Sequence, residues 1–188
     1  MNTRILILAT LHLPAIARAD EEAERAALRQ IKAAYEDAVN HDQVAAFAPH
    51  LAADATGVML TDEEISGAAG LEAYWRKIKT LIGAGGSYHV AVNVDKTDLR
   101  GVVAISRGTT NDEVKTAAGK EFRWQSHWTA VLVQDAGAWK VTRLHASMDP
   151  LHNPFVNATA SVMHWIYAGG GVLAGMLIGV IAARRRKI

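Results

Sequence analysis

The residues best suited to chemistry fall in two alternating stretches near the end of the body of the chain. In RWQSHWTAV, Arg123, Gln125, His127 and Thr129 share one face, and Trp124, Ser126 and Trp128 share the other. In WKVTRLHASMD, Trp139, Val141, Arg143, His145 and Ser147 share a face, opposite Lys140, Thr142, Leu144, Ala146 and Met148. A histidine serves as a general base near neutral pH, and a tyrosine or arginine stabilises an oxyanion. His127, Arg143, His145 and Ser147, set against Tyr35 and Trp75 from preceding helices, would suit proton abstraction beside a carbonyl or binding of a small carboxylate. The plainer alternative is that the histidines are hydrogen-bonded structural groups and that Trp124, Trp128 and Trp139 serve packing. Alternation alone does not say which face looks inward.

Other chemistries find little support. The chain has no cysteine, which removes disulfides, thiolate metal sites and cysteine nucleophiles. His127, His145 and His152 lack the short spacing of a metal motif, so neither metal nor cofactor is expected. Gly83, Gly85 and Gly86 follow a helix and read as its stop and a turn, not as a phosphate loop. No nucleophile elbow is present.

The elements that must position these residues follow from periodicity. Glu21 to Asn40 places Leu28, Ile31, Tyr35, Ala38 and Val39 on one helical face behind an acidic start. HDQVAAFAPHLAADA reads as a second short helix interrupted at Pro49, and GVML as a short strand. A helix capped by Ser66 runs to about Ile82. After Gly86 the period becomes alternating, giving four strands with turns near Gly101 and at Asp135-Ala136-Gly137. Helices first and antiparallel strands after make an α+β fold, a curved sheet with the helices on one face.

Of the 20 basic residues in the 188-residue chain, six lie at its ends, which leaves the body 14 cations against 19 acids, a net charge of −5. That sign excludes nucleic acid as a partner. Residues 1–19 read as a secretory signal peptide, with Arg4, a short apolar run and cleavage after Ala19. Residues 161–183 carry no charge and are long enough for a transmembrane helix, with His164, Trp165 and Tyr167 at its start. Four cations follow in the 184–188 tail, which predicts one span of a bacterial inner membrane, the domain in the periplasm and the tail in the cytoplasm. Gly171, Gly175 and Gly179 offer a helix-packing face, although glycine is common in such helices anyway. Residues 151–160, with prolines just before and within them, read as a linker. An alternative for the tail is its resemblance to bacterial C-terminal sorting signals, carried by the triple glycine at residues 169–171 and the arginines.

The helix with Tyr35, then AFAPHLAADATGVML, SGAAGLEAYWRKI and four strands ending in AWKVTRLHASMD, resembles the nuclear-transport-factor-2-like superfamily, and most of all its SnoaL-like branch. The resemblance covers residues 20–150. It implies a cone-shaped α+β barrel with helices on the concave side, a pocket between them and a homodimer. It also implies that the face of His145 and Ser147 lines the pocket. Ketosteroid isomerase, in the same superfamily, relies on an acid inside the cone. Here Asp54, Asp95 and Asp98 fall in helix-end or loop-like contexts and Asp149 follows the last strand, so no acid falls clearly on a pocket-facing strand position. The expected function is therefore a membrane-anchored exported domain that binds a small apolar or lipid-like ligand or serves in assembly. The alternative is an isomerase- or cyclase-type enzyme with a pocket histidine.

Overall fold

The computed structural model describes residues 13–151 and 153–185, with side chains placed from residue 21 to residue 178 apart from a few in the last helix. Helix α1 spans Leu13–Asn40, with Pro14 in its first turn, where a missing amide hydrogen costs nothing. A 3-10 segment, Val44–His50, ends at Pro49 and leads directly into strand β1, Leu51–Val58. Strand β2 (Glu64–Ser66) and helix α2 (Gly67–Ile82) follow. Four long strands come next: β3 (Ser87–Arg100), β4 (Val103–Lys115), β5 (Glu121–Asp135) and β6 (Ala138–Met148). Helix α3, Pro154–Arg185, closes the chain. Ser66 occupies the cap position of α2, but its side chain makes no capping bond.

The six strands form one open sheet in the order β2-β1-β6-β5-β4-β3, with β2 and β3 as free edges. The expected cone-shaped barrel is corrected on this point: the fold is mixed α+β, but the sheet does not close on itself. Nor is it wholly antiparallel, because β1 lies parallel to β6. The helices cover one face. Ile31 and Ala38 of α1, Phe47, and Leu71 and Tyr74 of α2 pack against Ala104, Ala130, Leu132, Trp139 and Val141 of the sheet. Each large apolar side chain buried there contributes about 1.5–3 kcal/mol.

Helix α1 also finishes the β3 edge. The Asn40 side chain accepts from the Val90 amide at 2.7 Å and donates to the Val90 carbonyl at 3.0 Å. Glu36 accepts from the Val92 amide at 2.6 Å. Backbone groups that would otherwise invite a further strand are thereby satisfied.

The two ends differ from expectation. Helix α1 runs unbroken through the expected cleavage point after Ala19, while residues 1–12 lie outside the described residues. No observation supports a signal peptide, and that reading is withdrawn. Helix α3 begins within the expected 151–160 linker, where Asn153 accepts from the amides of Phe155 and Val156 and Pro154 takes the first helical position. Among the described residues no helix is long and apolar enough to cross a membrane. This corrects the expectation of a transmembrane anchor and, with it, that of export to the periplasm on an inner-membrane span. A Cβ added at Gly171 or Gly175 would meet nothing within 4 Å, so among the described residues of the chain nothing packs against these two glycines. Residues 186–188 of the basic tail lie outside the described residues.

Candidate functional site

A cavity of about 460 Å³ lies between the helices and the inner face of the sheet. Its walls are mostly apolar: Leu28, Ile31 and Tyr35 from α1, Leu71, Trp75 and Ile78 from α2, and Trp128, Ala130, Leu132 and Leu144 from the sheet. The aromatic rings meet edge to face, Tyr35 on Phe47 and Trp75 on Tyr88, each with centroids 5.5 Å apart. Trp75 is held from outside the cavity, because its indole N–H donates to Asp42 at 2.5 Å. Lys79 holds that carboxylate from the other side at 3.0 Å.

Within this apolar wall stands one buried acid. Asp112, on β4, is only 4 % exposed and lines the cavity. Tyr88 donates its hydroxyl to Oδ1 at 2.7 Å, while Thr110 at 2.5 Å and Ser126 at 3.0 Å donate to Oδ2. Trp124 supports Ser126 by donating its indole N–H to that hydroxyl at 3.0 Å. Buried charge is tolerated only when so paired. The surrounding tyrosines respond to it. Burial first, and then the Asp112 charge, push the phenols of Tyr88 and Tyr35 far above the ordinary tyrosine range. Burial raises Tyr74 as well, with smaller contributions from Glu63 and Asp112 and an opposing hydrogen bond from Thr61.

The structure divides the six residues singled out in the sequence. Tyr35 and Trp75 line the cavity. His127, Arg143, His145 and Ser147 are exposed on the outer face of the sheet, where His127 faces Ser147 and Thr129 faces His145 across the β5–β6 ladder. The reason is a bulge. Val131 pairs with Arg143 and Leu132 with Val141, so the ladder skips Thr142. Trp139 and Val141 point inward before the bulge, whereas Leu144 and Ala146 take the inward positions after it. Arg143 is employed outside, donating to the Asp54 carbonyl at 2.9 Å and to its carboxylate at 3.2 Å. That partnership holds the Asp54 carboxyl below its usual range. Among the described residues no three His, Cys, Asp or Glu side chains stand together as a metal site, and His152 lies outside the described residues.

Asp112 is the acid that sequence reasoning missed. Its signal was the alternation of Ala104, Ser106, Gly108, Thr110, Asp112 and Val114, the inward face of β4. A charged residue in phase with small and apolar ones, beside a threonine two positions earlier, marks a satisfied carboxylate inside.

The structure is thus an open mixed sheet with helices over one face, enclosing a mostly apolar cavity with one buried acid in its wall. The chain belongs to the SnoaL-like domain family, whose model matches residues 20–145. Solved structures agree on the fold. A hexachlorocyclohexane dehydrochlorinase from Novosphingobium barchaimii is similar at a TM-score of 0.61 and 15% identity, covering 70% of this chain and 90% of that one. An NTF2-like protein with a cystatin-like fold from Novosphingobium aromaticivorans reaches 0.63 at 15% identity, covering 80% and 97%. Aln2 from Streptomyces reaches 0.59 at 15% identity, covering 69% and 93%. At such identities the likeness concerns the fold alone. No curated protein matches the sequence.

Proposed function

We propose that the chain binds a small apolar molecule in the cavity between helices and sheet, with Asp112 as a fixed acceptor for one donor group on that molecule. The observation that carries this reading is the cavity itself, of a size that ligand sites commonly have, with one convergent polar centre in an apolar wall. An ionised carboxylate offers about four lone-pair positions. Three hydroxyls occupy Asp112, two on Oδ2 and one on Oδ1, which leaves room for one more donor on Oδ1.

A second reading is proton-transfer catalysis, with Asp112 as base and a tyrosine as hydrogen-bond donor. The buried acid beside Tyr88 favours it. Against it, a carboxylate engaged by three hydroxyl donors is better held as an acceptor than released to take a proton. Binding is therefore the reading preferred.

Trp75 and Trp128 line the cavity, so their fluorescence reports occupancy. Naphthol is expected to bind about tenfold more tightly than naphthalene, through a hydrogen bond to a charged acceptor. The advantage should shrink in Asp112→Asn. Binding of neither compound at concentrations up to their solubility limits sinks the reading. Equal binding of both removes Asp112 from it.

A further inference from the structure

Asp112 is a buried acid with no counter-charge. Its three partners, Tyr88, Thr110 and Ser126, are neutral hydroxyls. The Ser126 hydroxyl accepts from the Trp124 indole, so its own proton is free to turn to the carboxylate. Among the described residues no Lys, Arg or His makes an ion pair with Asp112. Hydroxyl donors stabilise a negative charge without cancelling it, and in an apolar wall its field is stronger than it would be in water.

The basic residues of the cavity wall do not supply the missing cation. Arg25, Arg29, Lys32 and Lys96 line it, but each has an acid of its own: Glu21, Glu22, Glu36 and Asp98 in turn. Lys32 is tied through Glu36, which also accepts from the Val92 amide. Asp95 adds a further acid to the wall. With the partners counted, acids outnumber bases around the cavity.

The neighbours of Asp112 are also those a cation prefers. Tyr35, Trp75, Tyr88 and Trp128 line the cavity and pack against the buried cluster that includes Val90 and Val92. Val90 is the partner of Asp112 across the β3–β4 ladder, and Val92 is that of Thr110. Four aromatic side chains thus gather at the part of the sheet that carries the acid. Indole and phenol rings attract a cation over their faces, most strongly where water is excluded.

We infer that the ligand is an amine bound as its ammonium form, with one N–H donated to Oδ1 of Asp112, its charge among these aromatic side chains and its apolar body in the rest of the cavity. This rests on the binding reading above and adds the charge and the donor of the ligand. Oδ1 receives only the Tyr88 hydroxyl, so an N–H has a place there. The carboxylate loses its water on folding, so only the ammonium has to be desolvated on binding. A neutral alcohol donates the same bond but leaves the carboxylate charge without an opposite one.

The test compares naphthylmethylamine with naphthylmethanol by calorimetry on the full chain near neutral pH. The two share one ring system and differ in the charge of the donor. The amine is expected to bind about tenfold more tightly, because only it forms an ion pair with the carboxylate. In Asp112→Asn the two affinities should come together. A second measurement needs no variant. At the pH where half of the free amine is protonated, calorimetry in two buffers of different ionisation enthalpy should show uptake of about half a proton more per amine bound than per alcohol. Equal affinity for the parent chain, a preference for the alcohol, an amine advantage that survives in Asp112→Asn, or amine binding without that proton uptake overturns the inference and leaves binding in the cavity intact. Failure of both compounds to bind overturns the two together.

Discussion

Replacing Tyr88 with phenylalanine tests the centre of the site. The change removes one hydroxyl and little else, because the ring keeps its edge contacts with Trp75 at 5.5 Å and Trp124 at 6.1 Å. What is lost is the 2.7 Å hydrogen bond to Oδ1 of a carboxylate that is 4 % exposed. Hydrogen bonds to charged groups contribute about 1.5–3 kcal/mol, and the buried oxygen is left without that donor. The expected destabilisation of Tyr88→Phe is therefore about 2 kcal/mol. For a chain of this length that corresponds to a fall in Tm of roughly 4–8 °C. Urea unfolding should show a lower midpoint at an unchanged slope. Asp112→Asn supplies the partner variant. If the two groups act on one another, the double variant Tyr88→Phe/Asp112→Asn loses less than the sum of the singles, with a coupling of about 1–2 kcal/mol. A Tyr88→Phe protein within about 0.5 kcal/mol of the parent, or a cycle with no coupling, refutes the view that this bond holds the acid in place.

A Cβ at Gly108 of β4 would overlap the Asn93 carbonyl of β3 and crowd Trp128 at 3.0 Å. Gly108→Ala should cost about 3 kcal/mol by overpacking, read from urea midpoints, and a loss under 1 kcal/mol would mean that the strands can part at no cost. Alkaline pH should also weaken the fold. Tyr35, Tyr74 and Tyr88 all have folded pKa values raised from 10.0, so above about pH 10 the unfolded chain releases protons that the native one keeps. Stability should hold below that point and fall above it by up to about 1.4 kcal/mol per pH unit for each tyrosine. A slope that is no shallower in Tyr35→Phe would count against the assignment.

The readable parts of the chain were those fixed by local chemistry. The α2 helix and the four long strands announce themselves by period, and the turns by Gly101 and Gly137, both at positive φ. Residues 51–58 were less legible. LAADATGV lacks the β-branched run of a strand, and it becomes one only because β6 offers a parallel edge to it. Pairing of that kind connects residues about ninety positions apart and leaves no local trace.

The inward face of β6 was obscured by a single residue. Strict alternation carries Trp139 and Val141 forward to Arg143, His145 and Ser147, and this places the histidine beside the buried tryptophan. The skipped residue, Thr142, reverses every side chain after it. Nothing in WKVTRLHASMD marks the skip, because Thr142 is neither glycine nor proline. Its hydroxyl meets Asp54 at 3.3 Å, a partner that comes within reach only once β1 and β6 have paired. The uninterrupted β4 tells the opposite story. From Ala104 to Val114 its alternation holds throughout, so the phase that carries Asp112 inward could be read from its neighbours, although the sequence reading overlooked it. An argument from strand faces is thus only as good as the alternation is regular, and β4 keeps it where β6 does not.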